Sequence, residues 1–265
     1  MAVTLDGETR LIPIIGDPII YVKSPEWISE EFAKRGHKEI CVPMQVAAQD
    51  LDRVLQGLSA VPNVAGLLVT MPHKKAIYHC CATTSTRSKL LETVSLMRRN
   101  PDGSWHGDVL DGNSFVKAQI DNGARTAAAR ALLLGAGGAG SAIGVALLEA
   151  GVRELIVHDI DAERAGRLAN VLGALGLGRV TAGSSDPTGC DMVCNATPMG
   201  MADGDPLPLD ASLLTAAMFV GDVIAGHGET AFLRAARKAG CKTADGDQMV
   251  KSVIGMTVDF FVPAT

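Results

Sequence analysis

Three glycines form the most specific chemical pattern in the chain. Gly135, Gly137 and Gly140 fit G-x-G-x-x-G, directly after three leucines and before an amphipathic stretch, so the pattern joins a strand to a helix. In such a turn the first glycine permits the tight bend, the second lets a pyrophosphate approach the backbone, and the third lets helix and strand pack closely. The N–H groups at the helix start bind the phosphates. We therefore predict a dinucleotide site at Gly135, Gly137, Gly138, Ala139 and Gly140.

An aspartate follows the next predicted strand. Asp159 ends that strand roughly twenty residues after the glycine turn, where a carboxylate hydrogen-bonds the ribose hydroxyls of NAD. The 2′-phosphate of NADP would meet like charge there, and Asp161 adds to the repulsion. Arg164 is the nearest cation that could neutralise it. The sequence favours NAD as the cofactor, with NADP as the alternative.

A second chemical candidate lies where a buried strand meets a proline. Residues 66–77 read GLLVTMPHKKAI: an apolar run, then Pro72, then Lys74 and Lys75. Proline cannot donate to a sheet ladder, so the strand is expected to end there. A lysine pair in this place is a solvated loop by the simplest interpretation. Side-chain amines are also proton carriers, so the rest of the chain decides between these alternatives.

The elements around these residues alternate between strand and helix signals. Strands separated by helices imply crossover connections and hence a mostly parallel sheet. Pro25 favours the first turn of a helix with Ser24 as its N-cap, and Gly36 ends that helix. Residues 98–115 are rich in turn-forming residues, after which the dinucleotide pattern begins. Predicted strands are 10–16, 39–46, 65–70, 179–183, 191–197 and 218–224, and the last predicted helix runs from about Asp247 to Phe261.

Composition narrows the function classes. The 265 residues allow one large domain or two modest ones. No apolar run approaches the ~20 residues of a membrane span, and the polar start of the chain is unlike a signal peptide. A net charge of −5 argues against nucleic-acid binding. Six scattered cysteines without zinc-ribbon spacing indicate a reduced, cytoplasmic chain with no metal site.

A series of motifs in order resembles the shikimate/quinate dehydrogenase family over nearly the whole length. VTMPHK is similar to that family's Asn-Val-Thr-x-Pro-x-Lys, and WHGDVLDG to its Gly-x-Asn-Thr-Asp-Gly. LLGAGGAGSA resembles its nucleotide turn, and NATPMGM is nearly the family pattern. The stretches GDVI, ETAFLRAARKAG and DGDQM follow in the expected order, and Ser24-Pro25 stands at the early Ser-x-Ser-Pro motif.

The resemblance implies two α/β domains with the active site in the cleft between them. The substrate domain would cover residues 1–112 and be joined by the C-terminal helix 247–265, and a Rossmann domain would cover residues 113–246. Lys74 and Asp111 match the family's catalytic pair. Ser24, Thr70 and Ser95 would bind substrate. Beyond the glycine turn and Asp159, the residues expected to line the cofactor are Asn195, Thr197, Met199, Val223, Gly246 and Met249.

The catalytic roles follow from alcohol chemistry. Oxidation of a secondary alcohol moves a hydride to nicotinamide and requires a base for the hydroxyl proton. A partly desolvated lysine can serve as that base, and Asp111 would orient it. A neighbouring carboxylate also favours the charged lysine, and the sequence leaves open which effect prevails.

The departures from the family pattern remove polar groups. Family members hold a polyhydroxylated ring acid with these side chains, so shikimate should bind poorly here. The replaced groups are the first serine of Ser-x-Ser (Val22), an asparagine (Leu68), a second asparagine (Ser95), Asn-Thr (Val109-Leu110), a tyrosine (Ala225) and a glutamine (Val253).

Two hypotheses from different classes follow. The first is an NAD-dependent alcohol dehydrogenase of this family, a monomer or homodimer acting on a cyclic hydroxy acid less polar than shikimate. The second is a catalytically idle sensor that binds NAD and a metabolite. The intact lysine and aspartate favour the enzyme, because a sensor has no need of both.

Overall fold

The computed structural model describes residues 5–20, 22–202 and 204–262, and the chain divides into two units. One unit comprises Met1–Leu110 with Val253–Thr265, and the other comprises Asp111–Ser252. The first boundary lies two residues before the one expected from the sequence. The second falls inside the last helix, which the sequence had assigned to a single domain. In the described part of the chain, no helix combines the length and apolarity needed to cross a membrane.

The first unit is built on a six-stranded sheet with the order β2-β1-β3-β5-β6-β4. Its strands are β1 (Arg10–Gly16), β2 (Glu39–Gln45), β3 (Gly66–Val69), β4 (Thr83–Thr84), β5 (Leu96–Arg99) and β6 (Trp105–Asp108). Its helices are α1 (Ser24–Lys34), α2 (Leu51–Ser59, after a short 3-10 turn at Ala48–Asp50), α3 (Lys74–Tyr78) and α4 (Thr86–Leu91).

Three of the five strand pairings in this sheet are parallel. β1 pairs with β2 and β3, and β4 with β6, in parallel, whereas β5 runs antiparallel to β3 and to β6. The β5–β6 hairpin lies in the stretch that the sequence presented only as turn-rich. Trp105 explains the difference: its buried ring faces the guanidinium of Arg99 at 4.0 Å, a cross-strand pair that stabilises the hairpin.

Helix α1 begins one residue differently from the sequence prediction. Ser24 is its first helical residue, and Lys23 occupies the N-cap position without a side-chain cap. Pro25 lies in the first turn as expected, because its missing N–H has no helical partner there. Gly36 follows the last turn with φ +78°, a left-handed conformation that suits glycine. The helix buries Ile28 and Phe32 against the sheet.

The second unit is a six-stranded sheet in which every pairing is parallel, with the order β12-β11-β10-β7-β8-β9. Parallel strands need crossovers, so helices alternate with them. Its strands are β7 (Arg130–Leu134), β8 (Glu154–His158), β9 (Arg179–Ala182), β10 (Met192–Asn195), β11 (Phe219–Asp222) and β12 (Lys242–Ala244). Its helices are α5 (Asp111–Asp121), α6 (Gly138–Glu149), α7 (Ala162–Gly173), α8 (Ala231–Lys238) and the start of α9 (Gly246–Phe261).

Candidate active and cofactor sites

The lysine turn is anchored to the strands around it. β3 ends at Val69, ahead of Pro72, as the sequence predicts. The carbonyl of Met71 then accepts from the N–H of Asp17 at 2.9 Å, and the carbonyl of Lys74 accepts from the N–H of Val94 at 3.0 Å. Lys74 is the half-buried first residue of α3, whereas Lys75 is exposed. The structure therefore distinguishes the two lysines: the turn holds the first in a defined place and leaves the second in solvent.

The three predicted substrate residues lie in the same unit as Lys74. Thr70 precedes the turn, and its methyl group lies 2.4 Å from where a Cβ on Gly16 would stand, so only glycine fits beneath it. Ser24 is half-buried at the start of α1. Ser95 is buried, and its hydroxyl oxygen accepts from the N–H of Leu110 at 3.3 Å. Ser95 thus supports the segment leading to Asp111 in addition to any contact with substrate.

Four of the apolar departures from the family pattern share one hydrophobic cluster. Leu68 and Leu110 are buried members of it, and Val22 and Val253 are partly buried and pack against it. These residues are far apart in the sequence, and the family resemblance had implied that they share one region. The replacements therefore lie in or against one hydrophobic core of this unit rather than in four separate places.

Sequence reasoning missed a partly buried ion pair beside this segment. Asp108, at the end of β6, accepts two hydrogen bonds from Arg87, from Nε at 2.8 Å and from Nη2 at 2.6 Å. The same carboxylate accepts from the hydroxyl of Ser85 and from the N–H of Val109 at 2.7 Å. Paired charges of this kind hold a backbone segment in one conformation. The sequence feature that could have indicated this ion pair is an aspartate directly before the apolar residues Val109 and Leu110.

Asp111, the predicted acid partner, is the first residue of α5 in the second unit. The next residue must be glycine: a Cβ on Gly112 would lie 2.0 Å from the carbonyl oxygen of Ala142 in α6. This close approach places the start of α5 against α6, and it fixes the backbone from which the Asp111 side chain projects.

The glycine turn has the geometry that a pyrophosphate requires. Gly135 has φ +98°, and a Cβ on Gly140 would lie 1.9 Å from the Gly135 carbonyl oxygen, so helix α6 packs on the strand end. Cβ atoms on Gly137 and Gly138 would meet no protein atom within 4 Å. The helix N-cap, Gly137, offers no side-chain acceptor to the first N–H groups. Open space in front of the N–H groups at the helix start fits the phosphates of a dinucleotide.

Asp159 follows β8 and is joined to the glycine turn. One carboxylate oxygen accepts from the N–H of Ala136 at 2.7 Å, and the other accepts from the N–H of Asp161 at 2.9 Å. Burial raises the pKa of Asp159, but these two hydrogen bonds and the nearby Arg164 outweigh burial and lower it overall. Arg164 lies 3.9 Å from Asp159 and 3.6 Å from Asp161. A negative charge is therefore held at the strand end, with a cation beside it.

The predicted residues after β10 form one hydrogen-bonded turn. The Asn195 side-chain oxygen accepts from both the hydroxyl and the N–H of Thr197, at 2.6 and 3.1 Å. The hydroxyl oxygen of Thr197 accepts from the N–H of Met199 at 3.2 Å. Val223 donates its N–H to the carbonyl of Asn195 at 3.0 Å, which joins this turn to the end of β11. These four residues are brought together as the sequence anticipated.

Gly246 and Met249 lie at the start of α9, still within the second unit. A Cβ on Gly246 would come within 2.6 Å of the Val223 carbonyl oxygen, so this position also demands a glycine. Met249 is half-buried one turn later. Val223 therefore connects the turn after β10 with the start of α9.

A buried aspartate missed by the sequence reasoning organises this turn. Asp222 is fully buried and accepts from the amide of Asn195 at 3.0 Å and from the hydroxyl of Thr230 at 2.7 Å. Burial raises its pKa, and hydrogen bonds from Thr230, Ile224 and Asn195 offset only part of that effect. The sequence feature that could have indicated this buried carboxylate is a single acidic residue within the apolar stretch FVGDVI.

A parallel sheet with a glycine turn and an acid after the next strand defines a dinucleotide-binding unit, here joined to an α/β unit that carries a lysine turn. These are the parts of a two-domain nicotinamide-dependent oxidoreductase. Comparison with known proteins agrees: residues 14–96 match the model of the shikimate dehydrogenase substrate binding domain. A shikimate dehydrogenase (NADP(+)) from Rubrobacter xylanophilus is 36% identical over 252 residues, covering 93% of this chain and 88% of that protein.

Two solved structures with the same fold are named for activities other than that of a shikimate dehydrogenase. The ligand-free 5-ketofructose reductase of Gluconobacter sp. strain CHM43 has a TM-score of 0.89 at 26% identity, covering 97% of this chain and 94% of that one. Quinate dehydrogenase from Corynebacterium glutamicum in complex with NAD has a TM-score of 0.84 at 28% identity, with the same coverage of 97% and 94%. The chain belongs to the shikimate/quinate dehydrogenase family. It is an oxidoreductase that uses a nicotinamide cofactor and a small-molecule substrate.

The raised pKa of Asp222 leads to a pH-dependent stability prediction. At pH values between 3.8, the ordinary pKa of an aspartate, and the raised pKa of Asp222 in the folded protein, the folded state holds a proton that the unfolded chain releases. The free energy of unfolding of the wild type, relative to Asp222→Asn, should therefore decrease as the pH rises through this window. Urea unfolding of both proteins at a series of acidic pH values measures the difference.

Asp186→Asn provides the control of opposite sign. Hydrogen bonds from Thr188 lower the pKa of the exposed Asp186. Its small stabilising contribution is present above pH 3.8 and is lost as the pH falls through the pKa of Asp186 in the folded protein.

For Asp222 itself, the measured quantity is the difference in free energy of unfolding between wild type and Asp222→Asn. A difference that is flat, or that grows with pH, would contradict the assignment of Asp222.

Proposed function

We propose that this protein transfers a hydride between a nicotinamide cofactor, with NAD favoured, and a secondary alcohol of a cyclic hydroxy acid less polar than shikimate. The apolar cluster carries the proposal. Val22, Leu68, Leu110 and Val253 replace polar family residues and pack in that one cluster. Without those polar groups a polyhydroxylated ring would lose several hydrogen bonds, each worth ~1 kcal/mol.

Lys74 and Asp111 are proposed as the proton-handling residues. The nicotinamide, when bound, accepts or returns the hydride. Lys74 takes the proton from the substrate hydroxyl during oxidation and returns it during reduction. Asp111 orients the lysine and hydrogen-bonds the same hydroxyl. Ser24, Thr70 and Ser95 hold the substrate ring through their hydroxyl groups.

The proposed cofactor site uses the glycine turn and its neighbours. Gly137, Gly138 and Ala139 offer N–H groups to the pyrophosphate, and Asp159 accepts from the adenine ribose. The turn after β10, with Val223, Gly246 and Met249, lines the nicotinamide end. The negative charge at Asp159 supports NAD, although the relative from Rubrobacter is named for NADP.

A second candidate substrate is an uncharged ring alcohol with few hydroxyl groups. Val22 stands where the family has a serine that contacts carboxylate, so the loss of that hydroxyl also suits a substrate without an acid group. The fold similarity to a protein named 5-ketofructose reductase supports this candidate, because the substrate in that name has no acid group. The sensor hypothesis is the remaining alternative and predicts binding of NAD without turnover.

The first test concerns Lys74. Lys74→Ala should lower kcat by ~10²-fold or more, because general acid–base groups contribute 10²–10⁴-fold. NADH binding, followed by fluorescence, should be retained. Lys75→Ala, which removes the adjacent exposed lysine, is the matched control and should leave kcat near the wild-type value. Normal turnover in Lys74→Ala would remove this lysine from the mechanism.

The cofactor test rests on Asp159. The wild type should use NAD with kcat/KM at least ~10-fold above NADP, equivalent to about 1.4 kcal/mol. Asp159→Asn should narrow that ratio, because it removes the charge and frees Arg164 to meet a 2′-phosphate. Glu163→Gln, which removes an exposed carboxylate from the helix that carries Arg164, should leave the ratio of NAD to NADP use unchanged. Equal use of both cofactors by the wild type would contradict the proposal.

The substrate test compares shikimate and quinate with less polar ring hydroxy acids and with uncharged cyclic alcohols. Shikimate should be at least ~100-fold poorer in kcat/KM than the preferred substrate, since three lost hydrogen bonds at about 1 kcal/mol each suffice. Val22→Ser with Leu68→Asn should improve shikimate turnover. The exposed Ile20→Ser is the control. Efficient shikimate oxidation by the wild type would refute the interpretation of the apolar cluster.

A further inference from the structure

A buried histidine stands directly before the proposed catalytic lysine. His73 is 1% exposed, and its Nε2 lies 2.7 Å from the carbonyl oxygen of Val46. A carbonyl oxygen can only accept, so this imidazole nitrogen carries the proton and donates. The ring is therefore held in one tautomer and one orientation. Neither the lysine motif nor the proposed proton transfer explains why a polar ring is buried here.

Val46 connects this histidine to the middle of the sheet. Its own N–H donates to the carbonyl of Gly16, the last residue of β1, at 3.0 Å. His73 thus attaches the turn to a segment that β1 already holds. The N–H of His73 also donates to the carbonyl of Thr70 at 3.0 Å, which closes the turn on itself. Of the side chains in residues 70–73, His73 is the one with a hydrogen bond to a neighbouring segment among the described residues.

We propose that His73 is a positioning residue: through its Nε2–H bond to Val46 it holds the start of α3, and so the side chain of Lys74, in the place that proton transfer requires. A five-residue helix has little stability of its own, so its first residue depends on such anchors. If the histidine bond is lost, the Val46 carbonyl is left buried without a partner, and the turn can relieve that cost by shifting. This inference rests on the proposed role of Lys74.

The test replaces the donor while keeping the shape. His73→Phe fills the same space without an N–H, and His73→Asn keeps an amide that is too short to reach Val46. His73→Gln can place an amide N–H near the position of Nε2 and is the conservative rescue. Circular dichroism and NADH binding confirm that each variant is folded, and the outcome for Asn decides the matter if the Phe variant does not fold.

The first measurement needs no substrate. Trace acetylation with acetic anhydride, read by mass spectrometry, gives the labelling rate of Lys74 relative to Lys75 in the same molecule. The ratio should rise several-fold in His73→Phe and His73→Asn, because Lys74 is released from its half-buried place, and stay near the wild-type value in His73→Gln. An unchanged ratio in the Phe and Asn variants would overturn the proposal.

The second measurement uses the best substrate from the panel above. Turnover should fall ~10–10²-fold in kcat in His73→Phe and His73→Asn, with KM little changed, as expected when a reacting group is misplaced by about 1 Å. His73→Gln should recover most of it. Equal losses in Gln and Phe would refute a role for the N–H donor. If Lys74→Ala keeps its activity, the proposed function fails, whereas the labelling ratio still decides whether His73 positions the lysine.

Discussion

The end of β3 is the constraint on which the substrate unit depends. Proline at 72 prevents further pairing, so the chain must leave the sheet two residues after Val69 and turn immediately into α3. Backbone bonds from Asp17 and Val94 meet the carbonyls of that turn, and the missing side chain of Gly16 makes room for Thr70. The lysine is placed by what surrounds it rather than by the short helix that contains it.

Each unit uses a buried polar side chain to hold a loop next to its sheet, but the two side chains differ in chemistry. In the first, a side chain from the turn itself, His73, reaches back to the sheet. In the second, the carboxylate of Asp222 at the end of β11 accepts hydrogen bonds from Asn195 at the end of β10 and from Thr230. Both arrangements hydrogen-bond a buried polar group, which stabilises a single loop conformation. The apolar cluster around Leu68 and Leu110 contrasts with both, because there the polar partners of the family pattern are gone.

Periodicity and motif order were sufficient for most of the fold. Strand and helix signals near Arg10, Ser24 and Gly135 depend on local chemistry that the sequence displays directly. The β5–β6 hairpin was missed because its stability comes from a cross-strand contact between Arg99 and Trp105, which turn-rich composition conceals. The clustering of Val22 with Val253 could be expected only through the family resemblance, since residues more than two hundred positions apart meet only through the tertiary fold.

The division of α9 has a consequence for how the molecule is made. Its second half supplies Val258 to the core of the first unit, and Phe261 approaches so closely that a Cβ on Gly66 would lie 2.2 Å from its ring. The core of the first unit is therefore incomplete until the second half of α9 has been synthesised, whereas the second unit is complete once Ser252 has been synthesised. The usual order, in which the N-terminal domain folds first, should be reversed here. The first unit must therefore lack part of its core during the whole synthesis of residues 111–252.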